Sequence, residues 1–255
     1  MKKSYLFILF SNCLFVSAIF GKSAENDTGL IKKVLPPIQK FFVGNALDGA
    51  IFSTANIQNT TKTIYGQPTT TTTMGTIRFS LVVNVGFTFN FNLGRHIGLY
   101  TGIDVKNIGF IEKNEGGETV KRRTYNLGAP VSLKLGNMAA RRGYIFLGGG
   151  MDMPFNYKEK SFAIRNEKTK TSEWFANNTP SLMPYVFAGM AISSGATFKV
   201  QYYPDNFLNT DYSNAGAKPY AGMDVHLILF SLGFNMRYGK HPDIVETHVA
   251  DLKTM

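Results

Sequence analysis

The chain has 255 residues, with 27 Lys and Arg against 17 Asp and Glu, a formal net charge of +10. Hydrophobic residues make up 44%, an ordinary share that does not indicate a helical membrane protein. No run of Lys and Arg interleaved with aromatics forms a nucleic-acid module, so the positive balance reads as a solvated or lipid-headgroup-facing surface.

Met1-Lys2-Lys3 supplies a positive start, and Tyr5 to Phe20 is an almost unbroken apolar run. The run is shorter than the roughly 20 residues a membrane-spanning helix needs, so it reads as a secretory signal peptide. Val16-Ser17-Ala18 offers a small-residue cleavage site, and Gly21 a less regular one. Cys13, the only cysteine, lies inside the run, so the mature chain forms no disulfide. From 19 to 46 the chain reads as a polar periplasmic linker, and Pro36-Pro37 rules out a helix through it.

Asp48 to Asn59 is a weak strand candidate, followed by a threonine-rich stretch, Thr60 to Thr73, without apolar periodicity and therefore a loop. Ile77 to Phe91 alternates, with Val82 the one exception. Phe79, Leu81, Val83, Val85, Phe87 and Phe89 share one face, and Arg78, Ser80, Asn84 and Thr88 the other. After the turn Asn92–Arg95 comes His96 to Phe110, with Ile97, Leu99, Ile103 and Val105 opposite Gly98, Tyr100, Gly102 and Asp104. A charged loop leads to Thr124–Leu135, where Leu127, Val131 and Leu133 oppose Asn126, Ser132 and Lys134. A short connection then reaches Gly143–Tyr157, where Met151, Met153, Phe155 and Tyr157 oppose Gly148, Gly150 and Asp152. Past a long polar loop, Lys158 to Pro180, come Leu182–Ile192, Ala196–Tyr203 and, after a loop from Pro204 to Gly222, Val225–Tyr238. Residues 241–255 form a polar tail, expected in the periplasm.

Eight strands result, with short turns after the second, fourth and sixth and long polar loops at the other connections. Outer-membrane barrels segregate their connections in this way. The expected fold is all-β: an eight-stranded antiparallel up-and-down transmembrane barrel over 47–240, in the outer membrane of a Gram-negative bacterium. Its apolar face points to lipid, with Phe89, Phe91, Phe155, Tyr157, Tyr202 and Tyr238 as interface aromatics. Its lumen is lined by Arg78, Asn84, Thr88, Asn126, Ser132, Lys134, Asp152, Lys199, Gln201, Asn235 and Arg237. A barrel this narrow is just wide enough for side chains to fill, so a plugged interior is expected over an open pore.

The final strand carries a closing-strand pattern of polar residue, glycine, apolar residue and aromatic, at Ser231, Gly233, Met236 and Tyr238. Outer-membrane barrels resemble one another in this signal for the barrel-insertion machinery; here 17 residues follow it. With Gly94–Phe110, Tyr125–Leu135 and Ser231–Lys240, the chain resembles the porin-family outer-membrane β-barrel domain of Bacteroidetes-type bacteria. The resemblance implies location and fold but little about activity.

Catalytic chemistry is weakly signalled. His96, His226, His241 and His248 are scattered, only His226 with Asp224 forms a pair at the rim, and no Gly-x-Ser-x-Gly occurs. No catalytic, metal or cofactor site is expected. The chain reads as a non-enzymatic protein of structural, adhesive or narrow-pore type. The alternatives are a lipid-modifying membrane enzyme and a soluble exported ligand-binding barrel. Expected partners are outer-membrane lipid, the insertion machinery and an extracellular or periplasmic protein not identified by sequence, with no nucleic acid.

Overall fold

The computed structural model describes residues 38–62, 67–113, 117–138, 143–162, 168–192, 195–234 and 237–238. The expected signal peptide and C-terminal tail lie outside them. All elements among the described residues are strands: β1 (Phe41–Lys62), β2 (Pro68–Met74), β3 (Arg78–Asn92), β4 (Ile97–Lys113), β5 (Thr119–Gly136) and β6 (Tyr144–Phe162). They continue as β7 (Lys168–Trp174), β8 (Met183–Ala191), β9 (Ala196–Tyr203), β10 (Met223–Phe234) and β11 (Arg237–Tyr238).

Eight of these pair antiparallel in the order β10-β9-β8-β6-β5-β4-β3-β1, and β1 pairs again with β10, closing the ring. Closure leaves no unpaired edge in the ring, which is what a sheet in hydrocarbon requires. β11 continues the line of β10 and pairs with β1 through Val43–Tyr238 and Gly44–Arg237. β2 and β7 stand outside the ring. Each pairs with the upper part of its predecessor, β2 with β1 and β7 with β6, so both form ribbons beyond the wall.

The faces sort as the alternation predicts. Phe79, Val85, Phe87, Phe89 and Phe91 on β3 are exposed, as are Leu127, Val131 and Leu133 on β5. Between them on the same strands, Arg78, Asn84, Thr88, Asn126, Ser132 and Lys134 are buried. A soluble barrel would show the reverse, so the inversion identifies a wall built to face lipid. Short turns gather at one end of the ring, here the turn end. At the β8–β9 connection, Ile192 N–H donates to Ala196 O at 2.9 Å, and Gly195 takes a positive φ of 87° that a side chain would resist.

Four expectations need correction. β1 begins at Phe41, not in the high forties: residues 41–46, assigned to the linker, pair with β3 from Phe41–Phe91 onward. Its alternation is interrupted by a bulge between Asp48 and Ala50, and the phase break made the segment look weak. The threonine stretch is a strand, β2, because β-branched residues favour extended backbone and a ribbon wet on both faces needs no apolar alternation. For the same reason the polar segment after Tyr157 is largely the β6–β7 hairpin. Finally, Tyr157 is not an interface aromatic: the β5–β6 register shifts at Tyr125/Asn126, leaving Phe155 as the extra residue, and Tyr157 turns inward and is buried.

Candidate functional site: the lumen and its lid

The middle of the lumen holds two charge clusters. Lys199 Nζ lies 2.9 Å from Asp48 Oδ2, which also accepts from Asn84 Nδ2 at 2.8 Å. Across the barrel, Lys106 Nζ sits 2.9 Å from Asp152 and 3.4 Å from Asp104, with the Tyr185 ring centroid 4.0 Å away. Asp152 Oδ2 accepts further bonds from the Tyr203 hydroxyl at 2.5 Å and Asn126 Nδ2 at 3.3 Å, and Gln201 donates to Tyr203. Buried charges are tolerated when paired, and each of these carboxylates faces an ammonium group. Gly128 makes the second cluster possible: a Cβ there would stand 2.1 Å from Asp104 Oδ1 and 2.7 Å from both Asp152 Oδ1 and Lys106 Cε. Toward the turn end, Lys134 Nζ donates to Asn90 Oδ1 and Asn92 Oδ1, both at 3.0 Å, with the Phe42 and Tyr144 rings beside it.

Between the clusters is a cavity of about 60 Å³, lined by Asp48, Asn84, Lys106 and Lys199 and by the rings of Tyr100 and Phe187. That is space for a few water molecules, too little for a folded substrate segment or a sugar ring.

The half of the lumen nearer the long loops is sealed by apolar packing. Ile57, Ile108, Phe110, Val225 and Leu227 pack together with Phe207 and Leu208, two residues of the β9–β10 loop that are only 1% exposed. The Phe207 ring meets Phe110 edge-on at 5.6 Å. Asn206 anchors the loop: its side-chain oxygen accepts from Leu208 N–H and Val225 N–H, both at 3.0 Å, and its amide donates to Met223 O at 2.7 Å. Above this plug, Arg122 bridges Glu112 at 2.5 Å and Glu159 at 3.0 Å. Glu159 accepts from Tyr157 at 2.7 Å, and Tyr157 meets the loop's Tyr220 hydroxyl at 3.1 Å. Loop 204–222 is thus a lid fastened to the wall by an apolar plug below and a polar network above.

Of the residues assigned to the lumen by sequence, Arg78, Asn84, Thr88, Asn126, Ser132, Lys134, Asp152 and Gln201 lie buried within it, and Lys199 is partly buried there. Arg78 Nη2 donates to Asn107 at 2.7 Å, and Ser132 Oγ to Leu147 O at 3.1 Å. Asn235 is outside the described residues, and Arg237 is placed only by its pairing with Gly44. In the closing-strand motif, Ser231 and Gly233 lie on the inner face of β10 at the seam with β1; Tyr238 pairs with Val43, and Met236 is outside the described residues. Asp48, Lys106 and Tyr203, three central network members, are not among the lumen residues expected from sequence; Tyr203 reads there, with Tyr212 and Tyr220, as a candidate binding surface. Lys106 continues the row Gly102–Asp104, and Tyr203 the row Lys199–Gln201, so parity alone could have found these two; the Gly49 bulge hid Asp48. The His226–Asp224 pair forms at 3.2 Å, but on the outer face of β10.

No family model matches the chain, and no curated protein sequence matches it. Among solved structures, Neisserial surface protein A (NspA) is similar at 10% identity, covering 79% of this chain and 99% of its own, with a TM-score of 0.39. Ail, the attachment invasion locus protein of Yersinia pestis, seen in complex with the heparin analogue sucrose octasulfate, is 11% identical over 76% of this chain and 99% of its own, TM-score 0.32. The N-terminal β-barrel domain of Pseudomonas aeruginosa OprF is 8% identical over 75% and 100%, TM-score 0.25. At these scores the architecture rests on the strand pairings themselves. The closed ring, apolar wall and polar lumen make the chain an integral β-barrel membrane protein of the type found in Gram-negative outer membranes.

Proposed function

We propose that this chain serves the outer membrane as a structural or adhesive surface barrel, non-enzymatic and not a solute channel, with its long loops on the extracellular side. One observation carries this reading: the lumen is filled, by paired charges in its middle and by the Phe207–Phe110 plug toward the long loops. Solutes would need the lid to leave. Against an enzyme stands the outward position of Asp224 and His226, with no hydroxyl among their hydrogen-bond partners.

For adhesion, the ribbons supply the surface. β2 is exposed along its whole length and pairs on one side only with β1, and β7 likewise only with β6. Such edges present backbone donors and acceptors to which an extended segment of a partner can add. The finer family, the Bacteroidetes-type porin family, rests on the sequence resemblance, and recognition by the barrel-insertion machinery on the closing-strand motif at the seam.

Planar-bilayer recording tests the reading. Protein that shows heat-modifiable gel migration, hence a folded barrel, is expected to give no discrete conductance steps. Regular single-channel steps from the same preparation would overturn the sealed lumen.

A further inference from the structure

The outer face of the β5–β6–β7 ribbon carries a cluster of cations that the lumen does not use. Lys121 on β5 is opposite Lys160 on β6, which is opposite Lys170 on β7, so three ammonium groups form one row across three strands. Directly below, Arg123 is opposite Lys158. Lys168 adds a sixth charge above the first row, opposite Phe162. Directly opposed like charges destabilise a sheet, since cross-strand Cβ atoms are only about 5 Å apart. The crowding is felt at Lys160, whose ammonium is held below the ordinary lysine range by Arg123 first, then by desolvation, and then by Lys170, Lys168 and Lys121.

Among the described residues, the carboxylates of these strands that have hydrogen-bond or ion-pair partners are engaged on the other face. Glu112 and Glu159 are bound to Arg122, and Glu118 accepts from Ser161. Among the described residues no carboxylate lies within ion-pair distance of any of the six cations. Four of the six have rings beside them: Lys121 and Lys168 lie 5.2 and 5.4 Å from the Phe162 ring centroid, and Lys158 and Arg123 lie 4.9 and 5.9 Å from that of Tyr125. Rings support the ammonium groups from one side and leave their outward N–H donors open.

Height decides what meets them. Tyr125, Phe155 and Trp174 form an outward aromatic cluster, with centroids 6.4 and 6.0 Å apart, at the top of the apolar wall. Arg123 is two residues beyond Tyr125 and Lys121 four. At about 3.3 Å per residue and a tilt near 45°, that is roughly 5 and 9 Å above the aromatic level. The headgroup layer is about 5–7 Å deep on each side. The lower row is therefore within it and the upper row about 2 Å beyond it, both facing sideways from the wall and not upward from a loop tip.

We propose that this face binds the phosphate groups of lipid in the leaflet surrounding the long-loop end, with the Arg123–Lys158 row and the Lys121–Lys160–Lys170 row as its two rungs. The proposal rests on the membrane-barrel reading above and adds the chemistry of its lipid partner. A bound phosphate would offset the repulsion that the bare rows impose, and the sideways aspect favours a lipid over a soluble polyanion.

Trp174, the chain's only tryptophan, sits on this face and is a built-in probe. The mature full chain, folded in zwitterionic micelles, is titrated with diphosphorylated lipid A, the same glycolipid stripped of phosphate, inorganic phosphate and a sulfated polysaccharide, while Trp174 emission is followed. Expected is a saturable change with the diphosphorylated lipid, at least tenfold weaker without the phosphates, and weakened by salt as exposed charge contacts are. The triple substitution Lys121→Glu, Lys160→Glu, Lys170→Glu is expected to weaken it tenfold or more, and the same positions changed to Gln to weaken it less. Lys218→Glu, on the lid, is expected to leave it unchanged. Equal response to the dephosphorylated glycolipid, indifference to both triple variants, or tighter binding of free phosphate or polysaccharide would each overturn the proposal. Failure of the barrel reading is separate, since it would appear as loss of heat-modifiable migration in the unsubstituted chain.

Discussion

Asp152 is where four strands meet chemically: from β6 it holds Lys106 of β4, Asn126 of β5 and Tyr203 of β9. Removing one partner of a buried ion pair leaves the other charge without compensation, at about 3–5 kcal/mol. Asp152→Ala is therefore expected to lower barrel stability by about that amount, because Lys106 keeps only Asp104 at 3.4 Å. The companion change Gly128→Ala removes no charge but places a methyl against the carboxylates of the same cluster. With surrounding strands fixed by their ladders, the expected cost is about 1–3 kcal/mol, the usual range for overpacking. Urea unfolding in micelles, read by gel migration, checks both. Near-neutral Asp152→Ala would mean that the network fills space without setting stability.

At the scale of elements, the lid depends on its docking groups, one of which titrates. Tyr220 lies in loop 204–222 with its hydroxyl toward Tyr157, and burial raises its phenol above the ordinary tyrosine range. A group whose docked pKa is raised stabilises the docked state fully below the free value, near 10, and loses that contribution as pH climbs through the docked value. Limited proteolysis of the lid is thus expected to be slow at pH 8 and to speed up above about pH 10, with Tyr220→Phe reducing the pH step. An unchanged step in Tyr220→Phe would assign it to other groups. The sequence made β3, β4 and β5 legible because their alternation is unbroken, and the lumen residues on them came with it. It hid β1 and Tyr157, since one bulged residue inverts every side chain beyond it. Pro154, which cannot donate to a ladder, was the available signal for the second bulge. β2 and β7 were hidden for another reason: with water on both faces, they carry no apolar alternation, and the run of threonines in β2 was the one signal of extended backbone. The lid was invisible because Phe207 and Leu208 acquire their burial only from strands distant in sequence.

For the molecule as a whole, the membrane position follows from one strand's outward row. On β5 this row runs from Tyr125 through Leu127, Ala129, Val131 and Leu133 to Leu135, with charged residues beginning at Arg123. Ten residue steps at about 3.3 Å, tilted near 45°, span roughly 23 Å, close to the apolar band of about 25 Å on such barrels. Val131, 61% exposed, then lies near the midplane, and Tyr125 at its upper boundary. Arginine on the lipid face costs about 2–4 kcal/mol at the midplane and about 0–1 kcal/mol near an interface. Val131→Arg is therefore expected to destabilise the barrel by about 2–4 kcal/mol and Tyr125→Arg by no more than about 1 kcal/mol, measured by reversible unfolding in bilayer vesicles. The contrast, more than either value, carries the test, because both substitutions change an outward-facing residue of one strand to the same cation. Equal costs would place the membrane elsewhere along the wall and move the Arg123–Lys158 row out of the headgroup layer with it.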